Sequence, residues 1–582
     1  MLRLGPCLFL ILVTGTTSGC TSGALPQSDV ELQDSLVYAI RPLVDKNRIV
    51  LEVTMRFRGS ADGETVLHLP QDRYGTPDLH EAIVSVETSG QATVEPVEIA
   101  HQRLIRHPPS ASVEVVYTIS WNPERSRGYA YSPSVSADHF HFMGPQWIAW
   151  PQGYEGSVDL RVSLIGFPDD WSVLSSFGLG PGPHEMRDVV LDDLGSFIAG
   201  GAYRIHDFAC RDKPVRVGIK GDFDLTDETV FDNTERIVCA ERRWMHDHEQ
   251  PFYTVSISPR EGIRAGTAVP NAFVALVDPK ITERRLNILL AHEMFHDWLL
   301  GRARVVGADF DDDVWASKWG YQWVDEGFTE YFARKILHEV GLLTREELVD
   351  LTNDDIEDYW KNEHRHIRYA DLRRAAEEQR FMSAHQRIGY FRGTLIALDW
   401  DTKIQERTDG RKSLSDAIRE IIEAALARGG QLPEDEFHRI MSRYGIDSAR
   451  AFERVILEGE PPPVNPRAYA PDYVIGETTI HDFAPGFDVI GSWREKTVIG
   501  VVPGGHAHEA GLRNGMELVD LDNSRQYDPD EPMRVTVRVN GAEQTIEFFP
   551  KGAPLRAPVF RRVEPSSSIS PAGLAPEVVL SR

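Results

Sequence analysis

Apolar and polar residues alternate along Ile49-Val50-Leu51-Glu52-Val53-Thr54-Met55-Arg56-Phe57 and along Val113-Glu114-Val115-Val116-Tyr117-Thr118-Ile119. A period of two is the signature of a half-buried strand. Such runs, broken by Gly, Pro, Asp and Ser, recur from about Val30 to Ile205 and predict a mostly antiparallel β domain over 30–205. A strand is then predicted over 215–219, a helix over 224–249 from the spacing of Val230, Ile237, Val238 and Trp244, and strands over 252–257 and 272–277. The next helix is predicted to begin at Asp278 as its cap, with Pro279 in the first turn where no donor is needed, and to end near Leu300 before Gly301. Apolar residues three and four apart over 324–340 and 345–444 make the second half of this α+β domain, 206–460, largely helical. Glu460-Pro461-Pro462-Pro463-Val464-Asn465-Pro466 supports no helix, so 461–469 is predicted to be a stiff linker. A small β-rich unit is expected over 470–552. The remainder, 553–582, which is rich in Ser, Pro and Ala from Pro565, is expected to be a flexible tail.

A chain of 582 residues is too long for one hydrophobic core, and with 41% apolar and 26% charged residues it belongs with multidomain folded proteins. Its net charge of -27 would repel phosphate backbones, which excludes the electrostatic footprint of a nucleic-acid binder. At the start, Arg3 precedes the short apolar run Leu8 to Val13 and a series of small residues, so 1–23 is predicted to be an export signal. Cleavage is placed either near Ala24 or at Cys20, where Thr17-Ser18-Gly19 resembles a lipoprotein processing site with Thr17 in place of the usual Leu. A second apolar stretch long enough to span a bilayer is missing. The mature chain is therefore expected outside the cytoplasm, periplasmic or held to a membrane by a lipid on Cys20, with no transmembrane helix. Of the four cysteines, Cys7 and Cys20 fall in the export segment; Cys210 and Cys239 remain, as a disulfide or as two buried thiols.

Candidate chemistry centres on Ala291-His292-Glu293-Met294-Phe295-His296. On a helix, residues four apart share a face, so His292 and His296 can present both imidazoles to one metal ion. Glu293, turned a third of the way round, reaches water instead. A catalytic zinc needs three protein ligands and an open position. Glu326, in Trp323-Val324-Asp325-Glu326-Gly327-Phe328-Thr329-Glu330-Tyr331 on the following helix, is the third candidate for a single Zn2+. Glu330, one turn later, is either a hydrogen-bond acceptor for a ligand imidazole or an exposed helix carboxylate.

Both segments resemble those of the gluzincin metallopeptidases. The twenty-nine residues between His296 and Glu326 resemble the bacterial glycyl aminopeptidase family more than the shorter spacing of the related alanyl aminopeptidase and leukotriene hydrolase family. Tyr390-Phe391-Arg392-Gly393 and the later Lys412-Ser413-Leu414-Ser415-Asp416-Ala417-Ile418 are similar to that family's Tyr-x-Lys-Gly helix and Ser-Leu-Asp stretch, with Arg392 in place of Lys. Trp150-Pro151 and Phe167-Pro168-Asp169-Asp170-Trp171 look like part of its N-terminal β domain. Val501-Val502-Pro503-Gly504-Gly505-His506-Ala507 and Ala510-Gly511-Leu512-Arg513-Asn514-Gly515-Met516 resemble a divergent PDZ domain, which the family carries at this end. The resemblance implies a thermolysin-like zinc-peptidase domain between the β domain and the PDZ-like unit. It also implies that Tyr390 donates a hydrogen bond to the oxyanion while Glu293 takes a proton from the attacking water and passes it to the leaving amine.

The substrate implied is a peptide or protein, with an aminopeptidase as the first reading. In related aminopeptidases a Gly-x-x-Glu segment on the strand before the zinc helix binds the substrate's free amine; here Gly266-Thr267-Ala268-Val269-Pro270-Asn271-Ala272 holds no acid. That departure keeps open an endopeptidase of the same mechanism, or an inactive peptidase scaffold whose PDZ-like unit binds C-terminal peptides. The acidic run Asp309 to Asp313 reads as a solvated connection, and Trp315 to Tyr321 as packing against the zinc helices or as a cleft wall.

Overall fold

A computed structural model describes residues 35–564 apart from 46–47, 73–75, 123–130, 137, 192–193, 248–249, 308–320, 378–382 and 523–527. The predicted export signal, Cys20, the acidic run and most of the 315–321 aromatic segment lie outside the described residues.

The alternating runs pair as strands. Ser35–Asp45, Arg48–Arg58 and Ser112–Ile119 lie side by side in a six-stranded sheet, and the inward set Leu51, Val53, Met55, Phe57, Val113, Val115, Tyr117 and Ile119 is fully buried. One pair departs from the antiparallel expectation, because Ser157–Leu164 runs parallel to Ser35–Asp45. A second sheet, containing Ser172–Ser175, Phe197–Gly201 and His139–Met143, buries Met143, Leu174, Phe197 and Tyr203 against Val269, Ala272, Val274 and Leu276. This apolar seam fixes the N-terminal β region to the next sheet.

That next sheet has five strands in the order Arg204–Cys210, Lys213–Ile219, Tyr253–Pro259, Ala272–Val277, Arg264–Val269. Its last strand is antiparallel and, among the described residues, pairs with no strand on its outer side. Helix Asp227–Trp244 packs on the sheet; Thr226 caps it by accepting a hydrogen bond from the Thr229 N–H. Cys210 and Cys239 form a disulfide with Cα atoms 5.2 Å apart, tying the other edge strand to this helix across 29 residues. A loop of that length predicts a loss of about 3–4 kcal/mol when the bond is reduced. Urea unfolding of oxidised and reduced protein measures it, and equal midpoints would show that the bond contributes nothing.

The helix carrying the His-Glu-x-x-His segment is shorter at both ends than its apolar pattern predicts: it spans Glu283–Phe295, with Thr282 at its start. Asp278 is not its cap, because the Asp278 carboxylate accepts from the N–H groups of Gly262 (2.6 Å) and Lys280 (2.8 Å) in a separate turn. After Phe295 the chain tightens, with Asp297 N–H bonded to Met294 O and Trp298 N–H to Phe295 O, which buries Trp298 and Leu299. Beyond it come Thr329–Glu339, preceded by the wide turn Trp323–Phe328, then Arg345–Lys361, Tyr369–Glu377, Ser383–Thr408, Leu414–Leu426 and Glu434–Arg443. The second half is thus helical, as its periodicity predicts.

Residues 461–469 form neither helix nor strand, yet they do not hang free: Val464, Ala468 and Tyr469 pack beside Val349 and Ile356 of Arg345–Lys361. Residues 553–562, expected to belong to a flexible tail, do not. Lys551–Arg562 is a strand paired with Tyr473–Phe483, and Phe560 is buried against Tyr469 with its backbone held at both N–H and C=O by Asn353. Two prolines and the lack of a clean alternation hid this strand; its partner lies some eighty residues away.

Candidate active site

Two helices cross so closely that only glycine fits. A Cβ on Gly393 would lie 1.8 Å from the Trp323 carbonyl oxygen, and one on Gly327 would lie 2.4 Å from the Gly393 Cα. Thr394 Oγ1 donates to Gly327 O across the crossing, at 3.1 Å. This contact, together with the wide turn Trp323–Phe328, sets Glu326 and Tyr390 over the helix Glu283–Phe295. Wide turns of this kind recur at functional sites because they re-aim one side chain without ending the helix.

Three side chains meet there. His292 Nε2 lies 3.2 Å from Glu326 Oε2, His296 Nε2 lies 3.3 Å from the same oxygen, and the two Nε2 atoms are 3.2 Å apart. Zinc bonds of about 2.0–2.2 Å at tetrahedral angles would set ligand atoms about 3.3–3.6 Å from one another. The triangle therefore has the size for one zinc ion, and two imidazoles with a carboxylate are the donor set for it.

Each imidazole is turned by its other nitrogen. His292 Nδ1 donates to Glu330 Oε2 at 2.9 Å and His296 Nδ1 to the Leu299 carbonyl at 3.4 Å, so both Nε2 atoms face the triangle. Glu330 is thus an acceptor for a ligand imidazole rather than an exposed carboxylate. It is itself gripped by Arg334 Nε at 2.9 Å, and Arg334 makes two bonds to Asp355, of 2.6 and 3.1 Å. Arg334 and Asp355 are buried, and Glu330 is partly so. Sequence reading did not find this relay: Arg334 stands at a legible i+4 spacing from Glu330, but Asp355 comes from another helix with nothing in its neighbourhood to mark it.

The charges ask for a cation. Burial opposes charge on His292, yet hydrogen bonds to Glu326 and Glu330 raise its pKa to about 10, so the carboxylates hold a positive charge where the metal would sit. Burial works against Glu330 too, but the Arg334 charge and the His292 bond hold its carboxyl well below the usual range. Glu293 is pushed upward by burial and only partly brought back by His292 and His296, the direction a general base needs. Tyr390, stacked on the His292 ring at 5.8 Å, is kept a neutral donor by burial and by the nearby Glu326 carboxylate.

These groups line one cleft of about 970 Å3, bounded opposite by Arg264, Gly266 and Thr267 of the free edge strand and by Tyr131 of the N-terminal β region. Tyr131 donates to Gly266 O. Gly266 must be glycine for contact as well, since a Cβ there would meet Glu293 Cγ at 2.6 Å. Exchanging Glu330 for Gln keeps an acceptor for His292 but removes the charge, and zinc affinity is expected to fall about tenfold. Competition with a chromophoric chelator measures this; unchanged affinity would reduce Glu330 to packing.

Residues 285–391 match the profile of the M61 glycyl aminopeptidase family. A search of curated proteins found no match. Among solved structures, an aminopeptidase N family protein from Idiomarina loihiensis superimposes with a TM-score of 0.66, at 15% identity over 90% of this chain and 97% of that one. An M1 zinc metallopeptidase from Deinococcus radiodurans gives a TM-score of 0.40, at 16% identity over 74% and 94%, a likeness too loose to bear an argument. The chain thus has the overall fold of an aminopeptidase N family protein and, around the two crossing helices, the sequence profile of the M61 glycyl aminopeptidases.

Proposed function

We propose that this protein is a zinc-dependent peptidase, with one ion held by His292, His296 and Glu326. The observation that carries the reading is the near-equilateral triangle of ligand atoms, with Glu293 and Tyr390 beside it in one cleft. Zinc bound there would polarise the peptide carbonyl and make water a stronger nucleophile at neutral pH. Glu293 takes the proton from the attacking water and returns it to the leaving nitrogen. Tyr390 donates to the carbonyl oxygen as it becomes negative. The free edge Arg264–Val269 offers backbone groups along which an extended peptide can lie.

Removal of N-terminal residues is the first reading, from the family profile. An endopeptidase is the second, favoured by one observation: Glu326, Glu330 and Asp355 are committed to the metal triangle and to Arg334, which leaves no described cleft carboxylate but the base Glu293 for a substrate amine. Cleavage of free against N-acetylated peptides decides between them. Loss of all cleavage on acetylation supports the aminopeptidase, and equal cleavage supports the endopeptidase. A catalytically dead scaffold is disfavoured by the complete set of ligands, base and donor. The reading extends to an exported enzyme, free or lipid-anchored at Cys20, whose PDZ-like unit captures peptide C-termini.

A further inference from the structure

The chain is acidic overall, with 89 acidic against 62 basic residues, yet two arginines line its cleft. Arg264 projects from the exposed start of the edge strand and lines the cleft, near enough for its charge to act on Glu293. Among the described residues it has no carboxylate partner. Arg387 lines the same cleft, one turn before Tyr390 on its helix; its guanidinium lies 4.6 Å over the Phe391 ring and, among the described residues, pairs with the half-exposed Asp358 at 2.9 Å. The cleft carboxylates other than Glu293, by contrast, are engaged inward, on the metal triangle and on Arg334. From Arg264 to Ala272 the edge strand and the turn after it hold no acidic residue.

We propose that the substrate group seated beside the scissile bond is a carboxylate, bound by Arg264 with Arg387 facing it. Guanidinium groups pair with carboxylates through two parallel hydrogen bonds, a geometry an ammonium group cannot use. A peptide has two sources of that chemistry, an Asp or Glu side chain and its own C-terminal carboxylate. The proposal rests on the peptidase reading and names its substrate class.

The test uses the zinc-loaded full chain and four matched peptides: Glu or Gln flanking the scissile bond, each with a free or an amidated C-terminus. Preference for the carboxylate-bearing member of a pair is expected to be about tenfold in kcat/KM, the lower end for a charge-assisted hydrogen bond. Preference confined to Glu over Gln assigns the side chain, and preference confined to the free acid assigns the C-terminus. In Arg264→Gln the ratio should collapse towards one, and in Arg264→Glu it should invert. Equal rates across the four peptides, or a ratio untouched by Arg264→Gln, overturns the proposal. Calorimetric binding of the same peptides to zinc-loaded Glu293→Gln protein separates the two readings. Selective binding of acidic peptides without cleavage by the wild type would keep the carboxylate site and reject the peptidase; non-selective binding would reject the site.

Discussion

Glu293→Gln is expected to keep one zinc per chain and to lower kcat about a thousandfold, within the range for loss of a general base. Glutamine fills the same volume against Gly266, so the cleft keeps its shape. What disappears is the ability to take a proton from water and deliver it to the leaving nitrogen. Zinc analysis beside peptide hydrolysis checks both halves. Full activity would remove Glu293 from the mechanism, and loss of zinc would mean that its carboxylate holds the ion instead.

His292→Ala should have the opposite signature, losing zinc and activity together. Its Nε2 is one corner of the triangle, and its Nδ1 is the partner of Glu330. Without the ring, His296 and Glu326 are left as the ligand pair, and two ligands do not make a catalytic zinc site. Glu330 keeps Arg334 but loses a partly buried hydrogen bond, so a stability loss of about 1–3 kcal/mol should accompany the metal loss. Metal analysis and thermal unfolding read the two effects; a variant that retained stoichiometric zinc would take His292 out of the ligand set.

The ligands, the base and Tyr390 are legible because their chemistry is local: two histidines four apart, a glutamate between them, and short motifs on the next helices. The N-terminal strands are legible for the same reason, since alternation such as Val113 to Ile119 reports burial directly. What escapes are the long-range partners. Asp355 closes the relay behind His292 from a helix whose own sequence shows only amphipathic spacing, and Phe560 belongs to a strand whose partner lies far back in the chain. Gly327 and Gly393 stand in plain view inside the motifs, but their backbone contact appears only when both helices are placed. Asp278 shows the converse error: a good capping residue is spent on a neighbouring turn, and helix Glu283–Phe295 starts five residues later.

The most direct test of the central claim is metal removal and return. The full chain is dialysed against a chelator, titrated with zinc, and followed for hydrolysis of a mixed peptide library by mass spectrometry. The account predicts that cleavage vanishes in the metal-free protein and returns in proportion to zinc, reaching its plateau at one ion per chain. Cleavage that survives complete metal removal, or a zinc-saturated chain that hydrolyses no peptide, would contradict it.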